Sequence, residues 1–315
     1  MTNQAWLQHK ERGNLLGLVL IATIARVFGR RLTSLLLHPI CLYFLLFHPK
    51  AVAASRGYLA RVLDVRPGLR HVYRHLFTYA QTLLDRVYLY TGTLDVLQIR
   101  RCGDEVNKKM KQEGTGALYI SAHMGSFDAA QIFGSDDLDL PIHMMMYEDN
   151  AENFRRIRDS LSKGKQIPVI PLGYPDTMIR AKQVVDNGEA VAILGDRTFG
   201  TDAGIVVPFM GGSARFPLGP FMAAAVLKAP LILFIVLYRG GNLYEGHFEL
   251  LAENIDLPRK NREQGVRQLV ELYARRLEYY CRMEPYNWFN FYEFWVDDSD
   301  DNAVIGSGKD TARST

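Results

Sequence analysis

The chain has 315 residues, of which 48% are hydrophobic, enough to bury the core of one large domain or two modest ones and too many for an intrinsically disordered chain. Its three cysteines, Cys41, Cys102 and Cys281, are far apart and odd in number, which argues against a disulfide framework or a zinc site and fits a reducing compartment. The formal net charge is +3, but the first 75 residues carry eleven Lys and Arg against two Asp and Glu, so the front of the chain is strongly basic.

The basic front contains two apolar runs, residues 15–25 and 32–47, each shorter than the about 18 residues of a clean membrane span. Between them lie Arg26, Arg30 and Arg31. Three arrangements stay open: a short or tilted span, two helices in the membrane interface, or ordinary core helices. Interfacial attachment is favoured because arginines can extend to lipid headgroups. Pro39, inside the second run, is expected to kink or end a helix.

The expected partner of this positive charge is an anionic membrane surface, since the basic residues stand among Leu and Ile runs. Nucleic acid is not expected, because no nucleic-acid-binding motif accompanies the charge. A cleaved signal peptide is also disfavoured, because no small-residue cleavage site follows the first run.

Residues 50 to about 100 have apolar positions at helical spacing, which predicts helices that turn this face to the core. From Gly116 onward, short apolar runs alternate with helical stretches. The predicted strands are 117–122, 141–147, 166–172, 190–196 and 230–238, and the predicted helices are 150–162, 175–187 and 218–228. This alternation predicts an α/β fold, namely a single-domain mixed sheet flanked by helices.

Three regions are therefore expected along the chain. Residues 1–50 are predicted to form membrane-associating helices, and residues 51–296 a single catalytic domain. Residues 297–315 are acidic and then small and polar, which predicts a disordered tail.

The candidate chemistry lies in the stretch HMGSFD, residues 123–128, directly after a predicted buried strand. Gly125 lets the backbone turn there, and Ser126 can cap a helix that begins at the next residue. His123 and Asp128 can meet across such a turn, whereas residues five apart on one helix point about 140° apart. The chain has no GxSxG, HExxH, CxxC or GxGxxG motif and no complete P-loop.

A carboxylate bonded to one imidazole nitrogen makes the other nitrogen a better base, and this is what removing a proton from a hydroxyl requires. His123 and Asp128 are therefore the candidate catalytic residues, and no metal is expected. His143 and Glu148 have the same separation. They stand in an extended run, where an odd spacing sends the two side chains to opposite faces, so we interpret this second pair as structural.

Asp196 and Arg197 follow the predicted strand 190–196 at the edge where α/β sheets commonly carry functional groups. A salt-bridged turn is the alternative interpretation of the two residues. The glycine- and proline-containing segments 206–212 and 215–220 come next.

Four segments occur in the order seen in the lysophospholipid acyltransferase superfamily, and they most resemble its bacterial lipid A late acyltransferase branch. They are HxxxxD at 123–128, NGEAVAILGDRTFG at 187–200, VVPFMGG at 206–212 and RFPLGP at 215–220. The aromatic segment PYNWFNFYEFW, residues 285–295, departs from the lipid A enzymes. It is similar to the endings of predicted acyltransferases encoded with glycolipid and aryl polyene genes.

The resemblance implies a glycerolipid acyltransferase-like fold and an enzyme on the cytoplasmic face of the bacterial inner membrane. It implies O-acyl transfer to a hydroxyl of a lipid A-like or other glycolipid, with His123 as the base and Asp128 as its partner. The acyl donor is expected to be a thioester of acyl carrier protein or coenzyme A, with no further cofactor.

The resemblance also supplies candidate substrate-binding positions. Asp196 matches the family's strand-end aspartate. The family places an arginine before the strand that begins here near Gln166, and Arg158 is the candidate although it lies out of the expected register. The full set of predicted substrate-binding residues is Asp196, Arg197, Arg158, Gly125, Ser126 and Pro217.

Other functions stay open at this point. A lysophospholipid or glycerol-phosphate acyltransferase needs several arginines near His123 to hold the phosphate. A thioesterase uses water in place of the acceptor hydroxyl. A non-catalytic membrane protein that binds lipid has no need of the two catalytic side chains.

Overall fold

The computed structural model describes residues 15–129, 141–147, 168–198, 203–253, 255, 257 and 260–296. The N-terminal part is helical. It comprises α1 (Leu15–Phe47), α2 (Pro49–Val62) and α3 (Leu69–Thr91), followed by a 3-10 turn at Leu94–Val96.

The remaining elements form an α/β body. In chain order they are β1 (Gln98–Cys102), α4 (Asp104–Glu113), β2 (Ala117–Ser121), β3 (Ile142–Tyr147), β4 (Val169–Leu172), α5 (Thr177–Asp186), β5 (Ala190–Leu194), β6 (Gly204–Phe209), β7 (Gly212–Pro217), α6 (Gly219–Leu227), β8 (Leu231–Tyr238), β9 (Leu243–Ala252), α7 (Arg262–Met283) and β10 (Trp295–Val296).

The main sheet has seven strands in the order β1-β9-β8-β2-β5-β3-β4. All neighbours pair in parallel except β8 and β9, so the sheet is mixed. Strands β2 and β8 are almost completely buried, as expected of central strands covered on both faces. A second, antiparallel sheet joins β6, β7 and β10. The predicted α/β class with a mixed sheet flanked by helices is confirmed.

The five predicted strands all appear in the structure, as β2, β3, β4, β5 and β8. The predicted helices 175–187 and 218–228 correspond to α5 and α6. The helix predicted over 150–162 and the tail predicted over 297–315 lie outside the described residues.

Helix α7 lies against the main sheet and carries a regular apolar face. Val266, Val270, Tyr273, Leu277 and Cys281 recur at three- and four-residue spacing and are at most 2% exposed. The hydroxyl of Tyr273 donates to the carbonyl of Ser121 at 2.8 Å, which holds the last residue of β2 in place.

Helix α1 differs from the predictions in two ways. It continues through Pro39 to Phe47, so the helix does not end at the proline, and the residue with non-helical backbone angles is Gly29 (φ 74°, ψ 169°). A proline removes only one hydrogen bond of a helix, whereas positive φ interrupts the helix altogether. Arg30 does not extend to headgroups, because its guanidinium forms a two-bond ion pair with buried Asp85 of α3.

One stripe of α1 packs inward, and the other faces are exposed. Thr33, Leu37 and Cys41 recur every four residues and are 1%, 4% and 2% exposed. The exposed large apolar side chains of the helix are Val27, Phe28, Leu32, Leu35, Leu36, Ile40, Leu42, Tyr43, Phe44, Leu46 and Phe47. The segment Thr23–Phe47 is, by length and composition, long and apolar enough to cross a membrane.

Candidate active site

His123 and Asp196 stand at equivalent places after neighbouring strands. Ser121 of β2 is opposite Leu194 of β5 in a parallel register, so both residues lie two positions beyond that pair. The amide of Gly195 donates to the carbonyl of Ser121 at 2.9 Å and extends the pairing past the strand ends. The carboxyl edge of the sheet therefore brings the two side chains together.

The carboxylate of Asp196 accepts three hydrogen bonds. His123 gives two of them, from Nδ1 to Oδ1 at 2.8 Å and from its backbone N–H to Oδ2 at 3.0 Å. The indole N–H of Trp288 gives the third, also to Oδ2, at 3.0 Å. The carboxylate is 1% exposed, whereas the imidazole is 26% exposed and therefore accessible from outside.

This environment sets the charge of Asp196. Burial disfavours the carboxylate, but the charge and hydrogen bonds of His123, with a contribution from Arg197, outweigh burial and lower the pKa of Asp196 to about 2. The ionised carboxylate can only accept hydrogen bonds, so Nδ1 of His123 carries the hydrogen. A neutral imidazole in this tautomer has its lone pair on Nε2, the arrangement of a general base.

Asp128 has other partners in the structure. It is buried, the Tyr90 hydroxyl donates to its Oδ1, and Nε of Arg86 lies 2.6 Å from its Oδ2. Both partners belong to α3, towards which the first turn of the following helix directs the carboxylate. The sequence pointed to Asp128 as the partner of His123. In the structure Nδ1 of His123 is bonded to Asp196 of the neighbouring strand, and the role of Asp128 stays a prediction.

The turn between His123 and Asp128 has the predicted construction. Gly125 has φ +59°, and a Cβ there would lie 1.8 Å from the carbonyl oxygen of Val236. Ser126 Oγ accepts from the amide of Ala129 at 3.1 Å, as a helix N-cap does, and the helix begins at residue 127. Both predicted residues thus shape the backbone that carries His123.

The aromatic C-terminal segment closes the back of the site. Trp288 forms an antiparallel bridge with Met124, and the amide of Phe289 donates to the carbonyl of His123 at 2.8 Å. The carbonyl of Trp288 accepts from Nε2 of His75 at 2.8 Å. His75 is fully buried, and burial lowers its pKa to about 4 although the bond to Trp288 opposes that shift.

The other predicted substrate-binding residues are only partly near this centre. Arg197 donates to the carbonyl of Phe289 at 2.8 Å and places its guanidinium 5.6 Å from the ring centroid of Tyr292. Pro217 is buried at the end of β7, opposite Gly204. Arg158 lies outside the described residues. Substrate binding by any of them stays a prediction.

His143 is bonded to a different carboxylate from the one considered in the sequence. Its Nε2 lies 2.6 Å from Glu189, while Glu148 is outside the described residues. This pair stands where β3 and β5 begin, at the opposite edge of the sheet from His123. His143 is therefore a useful comparison for His123.

One cluster has side chains that metals bind. Sγ of Cys102 and the side chains of Glu245 and His247 place their ligand atoms within 4.8 Å of one another on β1 and β9. Glu245 already accepts from His247 at 2.9 Å, and guanidinium groups of Arg100 and Arg239 lie within 4.0 Å of it. These positive charges oppose a metal cation at Glu245.

A cavity of about 560 Å³ lies at the C-terminal end of α6. Its lining is Met222, Ala225, Val226, Lys228, Ile255, Leu257 and Arg262. Helix α6 ends just before β8, whose first residue Leu231 pairs with Leu118 near the start of β2. The cavity therefore lies at the opposite end of these strands from His123.

Sequence reasoning missed Tyr90, Arg86 and Trp288. Tyr90 stands among the apolar positions at helical spacing that were interpreted as core, Arg86 carried no signal, and Trp288 lies in the aromatic ending. A buried indole N–H needs an acceptor, and this requirement is the signal in the sequence that points to a partner for Trp288.

Comparison with proteins of curated function gives no match to the chain. The sequence model of one family matches residues 15–296, which include the helical front, the whole main sheet and the aromatic segment. On this match, the chain belongs to the bacterial lipid A biosynthesis acyltransferase family.

Proposed function

We propose that the protein transfers a fatty acyl chain from a thioester of acyl carrier protein or coenzyme A to a hydroxyl of a lipid A-like or other glycolipid. The observation that carries the proposal is the hydrogen bond between Nδ1 of His123 and buried Asp196 at the carboxyl edge of the sheet. Family membership supplies acyl transfer, and this pair supplies the base that the acceptor hydroxyl needs.

In the proposed reaction, the acceptor hydroxyl gives its proton to Nε2 of His123 as its oxygen bonds to the thioester carbonyl carbon. The tetrahedral intermediate then breaks its C–S bond, and the imidazolium returns the proton to the leaving thiolate. Ester and thiol are the products. Asp196 stabilises the imidazolium without taking the proton, as its low pKa requires.

We assign Asp128 a role that differs from that of Asp196. Its hydrogen bond from Tyr90 and its ion pair with Arg86 tie the helix after the turn to α3. This connection fixes the backbone from which His123 projects, so Asp128 is a positioning residue. Gly125 and Ser126 act in the same way, through the turn itself.

We propose that the exposed apolar side of α1 attaches the enzyme to the cytoplasmic face of the inner membrane. Phe28, Leu35 and Phe47 of this side are 59%, 59% and 65% exposed. Burying a large apolar side chain contributes roughly 1.5–3 kcal/mol, so several such residues outweigh the cost of association. The exposed arginines Arg26 and Arg31 can contact anionic headgroups beside them.

The test is acyl transfer by membranes that contain the wild-type protein, His123→Ala or His143→Ala. Membranes receive acyl carrier protein or coenzyme A loaded with a labelled acyl chain, and the labelled lipids are separated. We expect His123→Ala to lose at least 99% of the transfer and His143→Ala to keep most of it. Equal transfer by His123→Ala and wild type contradicts the proposal.

The labelled products also separate the alternatives. Label in phospholipid, with added lysophospholipid or glycerol phosphate as acceptor, identifies the phospholipid-forming activity. Label released as free fatty acid without an acceptor identifies a thioesterase. Label bound without transfer, and unaffected by either substitution, identifies a lipid-binding protein.

A further inference from the structure

Two buried asparagines of the aromatic segment differ in how their amides are used. Asn287 is 1% exposed, and both ends of its side-chain amide are bonded to the backbone of Tyr238. Its Oδ1 accepts from the N–H of Tyr238 at 2.7 Å, and its Nδ2 donates to the carbonyl of Tyr238 at 3.1 Å. Asn290 is 2% exposed, and neither its Oδ1 nor its Nδ2 has a hydrogen-bond partner in the described structure. The backbone N–H of Asn290 donates to the carbonyl of Trp288 at 2.9 Å.

Leaving a buried amide unpaired costs about 1–3 kcal/mol for each polar group. Proteins seldom carry this cost without a reason, and ligand-binding positions are a common one. A leucine of similar volume would remove the cost at this position. The unpaired amide of Asn290 is therefore evidence for a bound partner that the isolated chain does not contain.

The neighbours of Asn290 in the chain contact the candidate active site. Asn290 directly follows Trp288, which donates to Asp196, and Phe289, which donates to the carbonyl of His123. Nε of Arg197 is a second buried donor without a hydrogen-bond partner among the described residues. The same guanidinium is bonded to the carbonyl of Phe289, the residue directly before Asn290.

We propose that the side-chain amide of Asn290 binds the acyl thioester, donating from Nδ2 to the carbonyl oxygen on which negative charge develops. Arg197 assists from the same side with its Nε hydrogen. A carbonyl oxygen is a pure acceptor, and it matches two donors that the fold leaves unpaired. This inference rests on the proposed acyl transfer and adds the residue that stabilises its tetrahedral intermediate.

The substitution Asn290→Leu separates binding from structure. Replacing an unpaired amide with an apolar group of similar volume is expected to keep or raise the melting temperature. Loss of an oxyanion donor is expected to lower kcat by about 100-fold or more, with a smaller change in KM. A residue with a merely structural role would instead lower stability and leave kcat of the folded fraction unchanged.

Asn290→Ala provides the same comparison if leucine prevents folding, because alanine cannot overpack the site. His123→Ala is measured beside both variants. If His123→Ala is inactive and a folded Asn290 variant keeps kcat within threefold of wild type, the inference is overturned and the proposed function stands. If His123→Ala is fully active, the proposed function itself fails.

Discussion

The indole N–H of Trp288 and the carboxylate of Asp196 form a 3.0 Å hydrogen bond between segments 92 residues apart. The same oxygen accepts the backbone N–H of His123, so both carboxylate oxygens of Asp196 are fixed. A carboxylate held in this way has one orientation, and it imposes that orientation on the imidazole. The aromatic segment thus helps to fix the geometry of His123 and Asp196, the proposed catalytic pair.

Asp196→Asn tests the importance of this carboxylate. The amide keeps the shape of the side chain but can present a donor to Nδ1, which reverses the tautomer of His123 and removes the stabilisation of its charged form. We expect kcat to fall by about 10³–10⁴-fold with the fold retained. Acyl transfer at saturating donor, together with the melting temperature, measures the two effects.

Asp176→Asn is the matched control, because Asp176, whose side chain is 45% exposed, pairs with Arg180 at the start of α5 and lies outside the candidate site. It should leave kcat unchanged. The double variant His123→Ala with Asp196→Asn should be no slower than His123→Ala alone, since residues that act as a unit are not additive. A kcat for Asp196→Asn within tenfold of wild type contradicts the assignment.

The sequence predicted the local parts of the site. The turn after β2 depends on residues adjacent in the chain, and both Gly125 and Ser126 have their predicted roles. The five predicted strands also follow from local sequence, since each is one apolar run of consecutive residues. Strands β1 and β9 and helix α7 were not predicted, because their apolar positions alternate with charged ones and their burial depends on the elements packed against them.

The sequence did not predict which carboxylate is hydrogen-bonded to Nδ1 of His123. Spacing pointed to Asp128, whereas pairing with Asp196 depends on β2 and β5 being neighbours in a particular register. Register is set by the assembled sheet and by no short stretch of sequence. The same limit applies to Tyr90, which meets Asp128 across 38 residues of chain.

His75 is expected to make stability depend on pH. Nε2 donates to the carbonyl of Trp288 and Nδ1 accepts from Ser55, so the buried ring is neutral. Its pKa is lowered from 6.5 to about 4, so the unfolded chain binds more protons between these values and stability falls as pH falls from 6.5 to 4. The loss amounts to about 3 kcal/mol at pH 4.

Urea unfolding in detergent at a series of pH values between 7 and 4 measures this loss. His75→Gln should flatten the dependence, whereas the same change at exposed His48 should not. Asp196 does not add to the pH dependence of stability between pH 7 and 4. The stability that comes from its lowered pKa is present above pH 3.8 and is lost only as pH falls towards about 2. An unchanged slope in His75→Gln contradicts the prediction.

Gly125→Ala is expected to abolish folding or activity. The residue has φ +59°, and the added Cβ would lie 1.8 Å from a backbone oxygen that cannot move independently of β8. Gly211→Ala is the control, because Gly211 also has positive φ (+72°) but open space around its Cβ position. It should cost only the left-handed penalty of about 1–2 kcal/mol and keep full kcat. Comparable melting temperatures and activities for the two variants would show that the close approach at Gly125 has no consequence.

Docking of α1 is expected to depend on the ion pair between Arg30 and Asp85. The guanidinium bonds both carboxylate oxygens, at 2.7 and 2.8 Å, and the side chains are 12% and 0% exposed. Asp85→Ala leaves a buried positive charge without its partner, which costs about 3–5 kcal/mol. The other contacts of α1 with α3 are an apolar stripe and neutral hydrogen bonds such as Ser34 to Gln81 and Tyr88 to the carbonyl of Ala25. We expect the unpaired charge to outweigh them and release the helix while the α/β body stays folded.

Cys41 reports this release, since it lies on the packed stripe of α1 and is 2% exposed. In a Cys102→Ser background, Asp85→Ala should raise the rate at which maleimide labels Cys41 by at least tenfold. Cys281, buried in α7, should stay protected, and its labelling would instead reveal global unfolding. Asp95→Ala, at an exposed position just beyond α3, should change neither rate. Equal labelling of Cys41 in Asp85→Ala and wild type would mean that apolar packing alone holds α1, because the buried charge would then have been tolerated without separation of the helices.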